Sequence, residues 1–231
     1  MSAQSLHLAL IPDGNRRWAK EHGLMPWKGH EQSAKNFRSI VEWCAKSDRI
    51  STLTFWAFST ENWKRDPDEV KKLMDIFEQG IRRERASLKE RKIHVAHSGR
   101  TDRLSPSLKT LMEEALLDTP REQSTFTLHV ALDYGGKDEV VRAIGRMKSG
   151  ADVTEETVRA HLDHPELPDI DLIIRTSGEH RTSNFFLCSC GRLRMRSGCF
   201  WRSIFRILRK KILRRRSRIL ISGNGASGHD Q

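Results

Sequence analysis

The apolar residues of this chain fall into two alternating periods. Residues 6–11, LHLALI, form a near-continuous apolar run and read as a short buried strand, closed by the turn signal Pro12-Asp13-Gly14-Asn15. Over residues 30–47 the positions Ala34, Phe37, Ile40, Val41 and Cys44 recur at helical spacing. Residues 51–58, STLTFWAF, are β-branched and aromatic and predict a second strand. A helix opens at Pro67, a residue suited to the first helical turn. It carries Val70, Leu73, Met74, Phe77, Ile81 and Leu88 on one face, and its Met and Phe stripe reads as core or tunnel wall. Strand patterns at 92–98, 126–132 and 170–175 then alternate with helical ones at 105–117 and 137–148.

Strands separated by helices predict right-handed parallel crossovers, hence an α/β fold with a single open, mainly parallel sheet flanked by helices. No repeat, linker or boundary interrupts residues 1–187, so they read as one domain. Neither a GxGxxG nor a GxxxxGK[ST] loop is present, which argues against a dinucleotide fold or a P-loop NTPase. The first apolar run is too short for a signal sequence or a membrane span, and nothing else before residue 188 is longer in kind.

Charge divides the chain in two. The net charge is +11, yet residues 188–231 hold 12 of the 41 basic residues and one of the 30 acidic ones, leaving 29 of each sign in residues 1–187. Three of the four cysteines also lie in that tail, and the fourth, Cys44, reads as a small core residue. With no disulfide framework, a reducing cytoplasm is the expected location.

In an open α/β sheet, ligands bind outside the carboxyl ends of the strands. Three polar clusters follow such ends: PDGNRRWAK (12–20), STENWKR (59–65) and RTSGEHRTSN (175–184). Any one of them is ordinary loop chemistry, made of turns, caps and surface ion pairs. Together they bring arginines suited to a diphosphate, and an aspartate suited to Mg²⁺ shared with phosphate oxygens. His94, His97 and His129 sit in strand patterns and read as structural or surface residues.

The segments HLALIPDGNRRWA, GHEQSAKNF, LTFWAFSTENWKR, ALDYGGKDEVVRA and DLIIRTSGEHRTSNFF, in this order, resemble the motifs of the cis-prenyltransferases, also called isoprenyl transferases or undecaprenyl diphosphate synthases. The resemblance covers nearly all of residues 6–187, which would make them a cis-prenyltransferase-like catalytic domain. It implies Mg²⁺-dependent condensation of isopentenyl diphosphate with an allylic diphosphate by a homodimer. Asp13 resembles the catalytic, metal-binding aspartate, and Asn62 the residue assigned as proton acceptor. Gly14, Asn15, Arg16, Arg17 and Trp18 match the substrate loop, with Arg17 on the allylic diphosphate, and His30 matches a histidine near that group. Ser59, Thr60, Glu61, Trp63 and Arg65 match substrate contacts on a flexible loop. Arg175, Arg181, Thr182 and Ser183 resemble the isopentenyl diphosphate site, with Glu179 and Asn184 beside them. An amide is a poor free base, so Asn62 reads as a hydrogen-bond relay or positioning group. One departure is Pro26, where many relatives carry a basic residue; Lys28 is a candidate substitute.

The larger departure follows SNFFL. Relatives continue with WQ, AYAE, an FPDF segment, an acidic helix and a terminal RERRFG, none of which is present. Reading the third base of each codon with the first two of the next makes residues 200–220 compatible with LAEHFPDFTEEDFEEAIADF, and the residues after them with NKRERRFG. The same shift turns basic codons into those for Glu, Ala and Asp. This points to a frameshifted translation from about residue 188. The other readings are a basic helix lying on an anionic membrane and, with least support, a nucleic-acid arm, so no nucleic-acid partner is expected. The lost segment would remove a last strand and helix, together with the glutamate of AYAE that resembles a partner of Asp13 in Mg²⁺ binding. The alternative to an active enzyme is therefore a degenerate or noncatalytic relative.

Overall fold

The computed structural model describes residues 5–178 and 183–185. The basic tail, and with it Glu179, Arg181 and Thr182, lie outside the described residues. Within them, β1 (Leu6–Ile11), β2 (Ile50–Ser59), β3 (Ile93–Ser98), β4 (Phe126–Tyr134) and β5 (Leu172–Arg175) form one sheet in the order β3-β4-β2-β1-β5. Every neighbouring pair is parallel, as strands joined by helices require. All of His7–Ile11 is buried, which explains why β1 reads as a run and not as an alternation.

The helices are α1 (Asn15–Glu21), α2 (Pro26–Ala45), α3 (Pro67–Glu90), α4 (Pro106–Leu117), α5 (Gly136–Arg146) and the short α6 (Glu155–Arg159). Asp66 caps α3 by accepting from the Asp68 and Glu69 N–H groups, and Ser105 caps α4 through the Leu108 N–H. Leu8, Leu10 and Leu53 of the sheet pack with Ile40, Val41 and Cys44 of α2. Phe58 and Leu132 pack with Val70 and Leu73 of α3 and Leu108 and Met112 of α4. Cys44 is fully buried and burial pushes its thiol up to about 12, the inert core residue expected.

The structure departs from the pattern at element ends. Helix α2 starts at Pro26, not at residue 30, because proline fits the first helical position and the Trp27–His30 turn carries no apolar periodicity. Helix α1 is absent from the periodicity because it is seven residues long and largely charged; Gly14, at φ 94°, turns the chain directly from strand into helix. Strand β4 runs two residues past Leu132 to include Asp133 and Tyr134.

The strand histidines form a buried polar ladder across the sheet. His7 Nδ1 lies 2.7 Å from the Pro168 carbonyl, which can only accept, so that nitrogen carries the proton. Neutral His7 then accepts from the Thr54 hydroxyl at Nε2 (2.6 Å), Thr54 accepts from His129 Nδ1 (3.0 Å), and His129 Nε2 accepts from Ser98 (2.8 Å). His94 and His97 bond backbone carbonyls of Thr119 and Leu132. All serve the fold. Among the described residues no helix is long and apolar enough to cross a membrane.

Candidate active site

The carboxyl ends of β1, β2 and β5 bring the three polar clusters together. Asp13 follows β1, and its Oδ1 accepts from the Gly14 N–H at 2.7 Å. Its Oδ2 accepts from Ser177 Oγ at 2.8 Å and from Arg175 Nε and Nη2 at 3.0 and 2.5 Å. The Asp13 carbonyl accepts from Thr176 Oγ1 at 2.6 Å, so β1 and β5 remain locked beyond their last paired residues. Arg175 also donates to Ser183 Oγ at 2.9 Å. Burial pushes the Asp13 carboxyl upward, but the bonds from Arg175 and Ser177 outweigh it and hold the group below its usual range. Asp13 is therefore ionised at neutral pH.

A second set gathers where α1 meets α2. Asn15 Nδ2 donates to the Pro12 carbonyl (3.2 Å) and to His30 Nδ1 (3.0 Å). His30 Nδ1 thus accepts, and its proton sits on Nε2. That N–H and Asn15 Oδ1 are both buried without a partner among the described residues. Burial first, then the charges of Arg65 and Arg16, lower His30 to about 3, so the ring is neutral. Two arginines flank the buried Glu69: Arg65 Nη1 at 3.2 Å and Arg16 Nε at 3.7 Å. Gly29 makes this junction possible, because a Cβ there would lie 2.0 Å from the Asn15 carbonyl oxygen. Trp18 stacks on His22 at 4.2 Å, and exposed Arg17 has no ion pair among the described residues. Lys28 is committed to Glu31 at 2.9 Å on the surface and does not join the cluster.

The third set is the segment after β2, where the flexible loop implied by the resemblance is a 3₁₀ helix, Thr60–Lys64. Ser59 and Asn62 cap it reciprocally, with Asn62 Oδ1 accepting from the Ser59 N–H at 3.1 Å. Glu61 accepts from Asn184 Nδ2 at 3.0 Å and from Thr60 Oγ1 at 3.2 Å. Asn184 in turn accepts from the Gly136 and Lys137 N–H groups at the start of α5, at 2.7 and 2.8 Å. It thereby joins the second and third clusters. Trp63 donates its indole N–H to Asp133 at 2.8 Å.

A cavity of about 1170 Å³, counting its open mouth, runs on from this rim between α2, α3, α4 and the sheet. Pro12, Asn15 and His30 belong to its wall, and Phe37, Phe55, Phe77, Ile81, Leu88 and Val130 make most of the rest apolar. The Phe77–Ile81 part of the α3 stripe is thus cavity wall, whereas Val70 and Leu73 are core. An arginine-rich mouth on an apolar tunnel fits an amphiphile with an anionic head and a long hydrocarbon chain.

Sequence reasoning missed Glu69, Ser177 and Asp133. Glu69 sits in the first turn of α3, where an acid is unremarkable, and Ser177 lies inside a motif already noted. Among the described residues no three His, Cys, Asp or Glu side chains converge on one point. The donor chemistry nevertheless fits Mg²⁺, which takes one or two carboxylates and completes its shell with phosphate oxygens and water. Asp13, with its side chain 36% exposed beside Arg175, is the residue that would hold it.

Comparison with known proteins agrees with this geometry. The Prenyltransf profile of undecaprenyl diphosphate synthases matches residues 11–205. An isoprenyl transferase of Aquifex aeolicus is 44% identical over 183 residues, spanning 78% of each chain. A tritrans,polycis-undecaprenyl-diphosphate synthase (geranylgeranyl-diphosphate specific) of Thermococcus kodakarensis is 40% identical over 195 residues, covering 78% of this chain and 72% of its own. Among solved structures, a probable undecaprenyl diphosphate synthase of Campylobacter jejuni superposes with a TM-score of 0.76 at 26% identity, over 96% of this chain and 97% of that one. Lavandulyl diphosphate synthase of Lavandula x intermedia, solved with dimethylallyl diphosphate, superposes with a TM-score of 0.71 at 29% identity, over 82% and 84%.

Proposed function

The chain is a prenyltransferase of the isoprenyl transferase (undecaprenyl diphosphate synthase) family, and on that premise we propose that it condenses isopentenyl diphosphate with an allylic diphosphate into a cis-polyprenyl diphosphate, with Mg²⁺ at Asp13. The observation that carries this is the orphaned donor His30 Nε2–H, at the junction of the arginine-rich mouth and the apolar tunnel. A buried donor with no partner is costly, by about 1–3 kcal/mol, and an incoming diphosphate oxygen removes that penalty.

The allylic diphosphate is held by His30, Arg16, Arg17 and the backbone of the substrate loop that follows Asp13, with its chain in the tunnel. Arg175 and Ser183, with Arg181 and Thr182, hold isopentenyl diphosphate. Asp13 would hold Mg²⁺, which would supply charge neutralisation for the departing diphosphate. The C1–O bond breaks, the isopentenyl double bond attacks C1, and a proton leaves C2 of the isopentenyl unit. Asn62 orients that unit, and a diphosphate oxygen accepts the proton. Apolar walls such as Phe55 and Phe77 exclude water from the electron-deficient carbon. Incorporation of radiolabelled isopentenyl diphosphate onto farnesyl diphosphate tests the proposal. Mg²⁺-dependent formation of long-chain product is expected, and absence of both turnover and diphosphate binding would overturn it.

A second proposal concerns residues 188–231. Their charge asymmetry and shifted-register content support a frameshifted end, which favours a weakened or noncatalytic chain over a membrane-binding tail. Sequencing the transcript decides between them, since an unshifted message would rule the frameshift out. A frame-corrected chain should incorporate more isopentenyl diphosphate than the chain as it stands. We also propose a cytoplasmic homodimer, for which exposed Val141 and Ile144 on α5 offer apolar surface. Sedimentation of the purified chain checks the dimer.

A further inference from the structure

Asp133 is fully buried, sits at φ 53°, and has no place in the substrate reading above. Aspartate, like asparagine, can take the left-handed region as a single residue, but a buried carboxylate needs partners. The partners are present. Oδ1 accepts from Trp63 Nε1 at 2.8 Å, Oδ2 from Arg103 Nε at 2.9 Å, and Arg103 Nη2 also bonds Oδ1. The triangle is closed by the Arg103 guanidinium, which lies 5.3 Å from the centre of the Trp63 ring.

Strand register explains how the residue comes to face this way. Phe58 pairs with Leu132 and Ser59 with Tyr134, so Asp133 is the extra residue of a bulge at the last step of β4. A bulge re-aims one side chain and ends pairing, here at the point where β2 gives way to the 3₁₀ helix. That helix spans five residues and none of them is buried, so it has little to fix it except side-chain anchors. Asn184 holds one side through Glu61, and Asp133 holds the other through Trp63. Between the two anchors stand Asn62 and, just beyond, Arg65.

We propose that Asp133 is a positioning residue: through Trp63 and Arg103 it fixes the Ser59–Arg65 segment so that Asn62 and Arg65 face the diphosphate mouth. This rests on the proposed function, but its test does not require turnover. In the full-length chain, Asp133→Ala should raise amide exchange in residues 60–64 by at least about tenfold while β1 and β3 stay protected, because it releases the anchor of a short, exposed helix. It should also weaken inorganic diphosphate binding, measured by calorimetry, several-fold. Trp63→Phe keeps the ring but removes the N–H, and should reproduce most of both effects if Asp133→Ala fails to fold. Asp133→Asn tolerates the left-handed backbone and keeps one acceptor for Trp63, but turns its NH2 towards Arg103, so it should recover part of the protection and binding lost in Asp133→Ala. Exchange and diphosphate affinity unchanged in Asp133→Ala and Trp63→Phe would overturn the proposal. So would uniformly faster exchange with affinity intact, which marks a purely structural role. A wild-type chain that binds no diphosphate would instead sink the proposed function, leaving the exchange result to judge Asp133.

Discussion

Arg175, the last residue of β5, holds Asp13, the second residue beyond β1, in a two-pronged ion pair at 3.0 and 2.5 Å. The resemblance implies a separate ligand for each side chain, and here they bond each other. Arg175→Ala should therefore act on both. It removes a bidentate donor, a charge-assisted contact worth about 1.5–3 kcal/mol, so the KM for isopentenyl diphosphate should rise by about 10- to 100-fold. It should also let the Asp13 carboxyl titrate at higher pH, since Arg175 helps keep it low. Carbon-detected NMR of the Asp13 carboxyl in wild type and variant reads the second effect directly.

His30 supplies a sharper electrostatic test. Its ring, lowered to about 3 by burial and by Arg65 and Arg16, should show no titration between pH 5 and 8 in the free chain, a window far above that value. A bound diphosphate brings negative charge beside the Nε2–H and must raise that value. Nitrogen chemical shifts of His30 with and without inorganic diphosphate check the direction. His30→Ala removes the donor and leaves Asn15 Nδ2 with one partner fewer, and should weaken diphosphate binding by about tenfold, a loss of some 1.4 kcal/mol.

The buried ladder makes the fold itself sensitive to acid. Burial lowers His7, His97 and His129 below the ordinary 6.5, although the Pro168 carbonyl and then Asp171 and Asp169 partly oppose this at His7. The unfolded chain takes up protons as pH falls past about 6.5 while the folded chain does not, so stability is complete above that pH and lost below it. Each histidine contributes a slope of up to about 1.4 kcal/mol per pH unit. Denaturant midpoints should fall between pH 7.5 and 5, and His129→Asn, which keeps a donor and an acceptor but does not titrate, should flatten the decline. An unchanged slope in that variant would show that the ladder is not its source.

How much of this was legible in the sequence depended on scale. Strands and long helices announced themselves because LHLALI meets a continuous buried surface, and the Val70–Leu88 stripe faces first the core and then the apolar cavity. The site was legible at the level of loops, since a parallel sheet collects its strand ends on one rim. What periodicity could not show were the small devices that aim side chains. Helix α1 hides in a charged heptapeptide behind a Gly14 turn. The Asp133 bulge exists only relative to a neighbouring strand, and the cap that Asn184 gives α5 comes from residues far away in the chain. The close approach at Gly29 is likewise a property of two helices together.

The tunnel offers a last prediction. Gly80 lies in the interior of α3, where glycine costs roughly 0.5–1 kcal/mol against alanine. No crowding explains it: a Cβ built at Gly80 meets nothing within 4 Å, and the position lines the cavity beside Phe77 and Ile81. Gly80→Ala should therefore raise stability by about that same 0.5–1 kcal/mol without narrowing the bore much. Gly80→Phe adds a ring to the wall of the cavity, whose lining does not include Asp13 or Arg175. It should shorten the longest product while the KM for isopentenyl diphosphate stays the same. Chromatography of the labelled products by chain length measures this directly. Where turnover is too weak, calorimetry should show farnesyl diphosphate binding retained and a longer polyprenyl diphosphate excluded. Equal binding of both ligands by Gly80→Phe would mean that the growing chain does not pass Gly80.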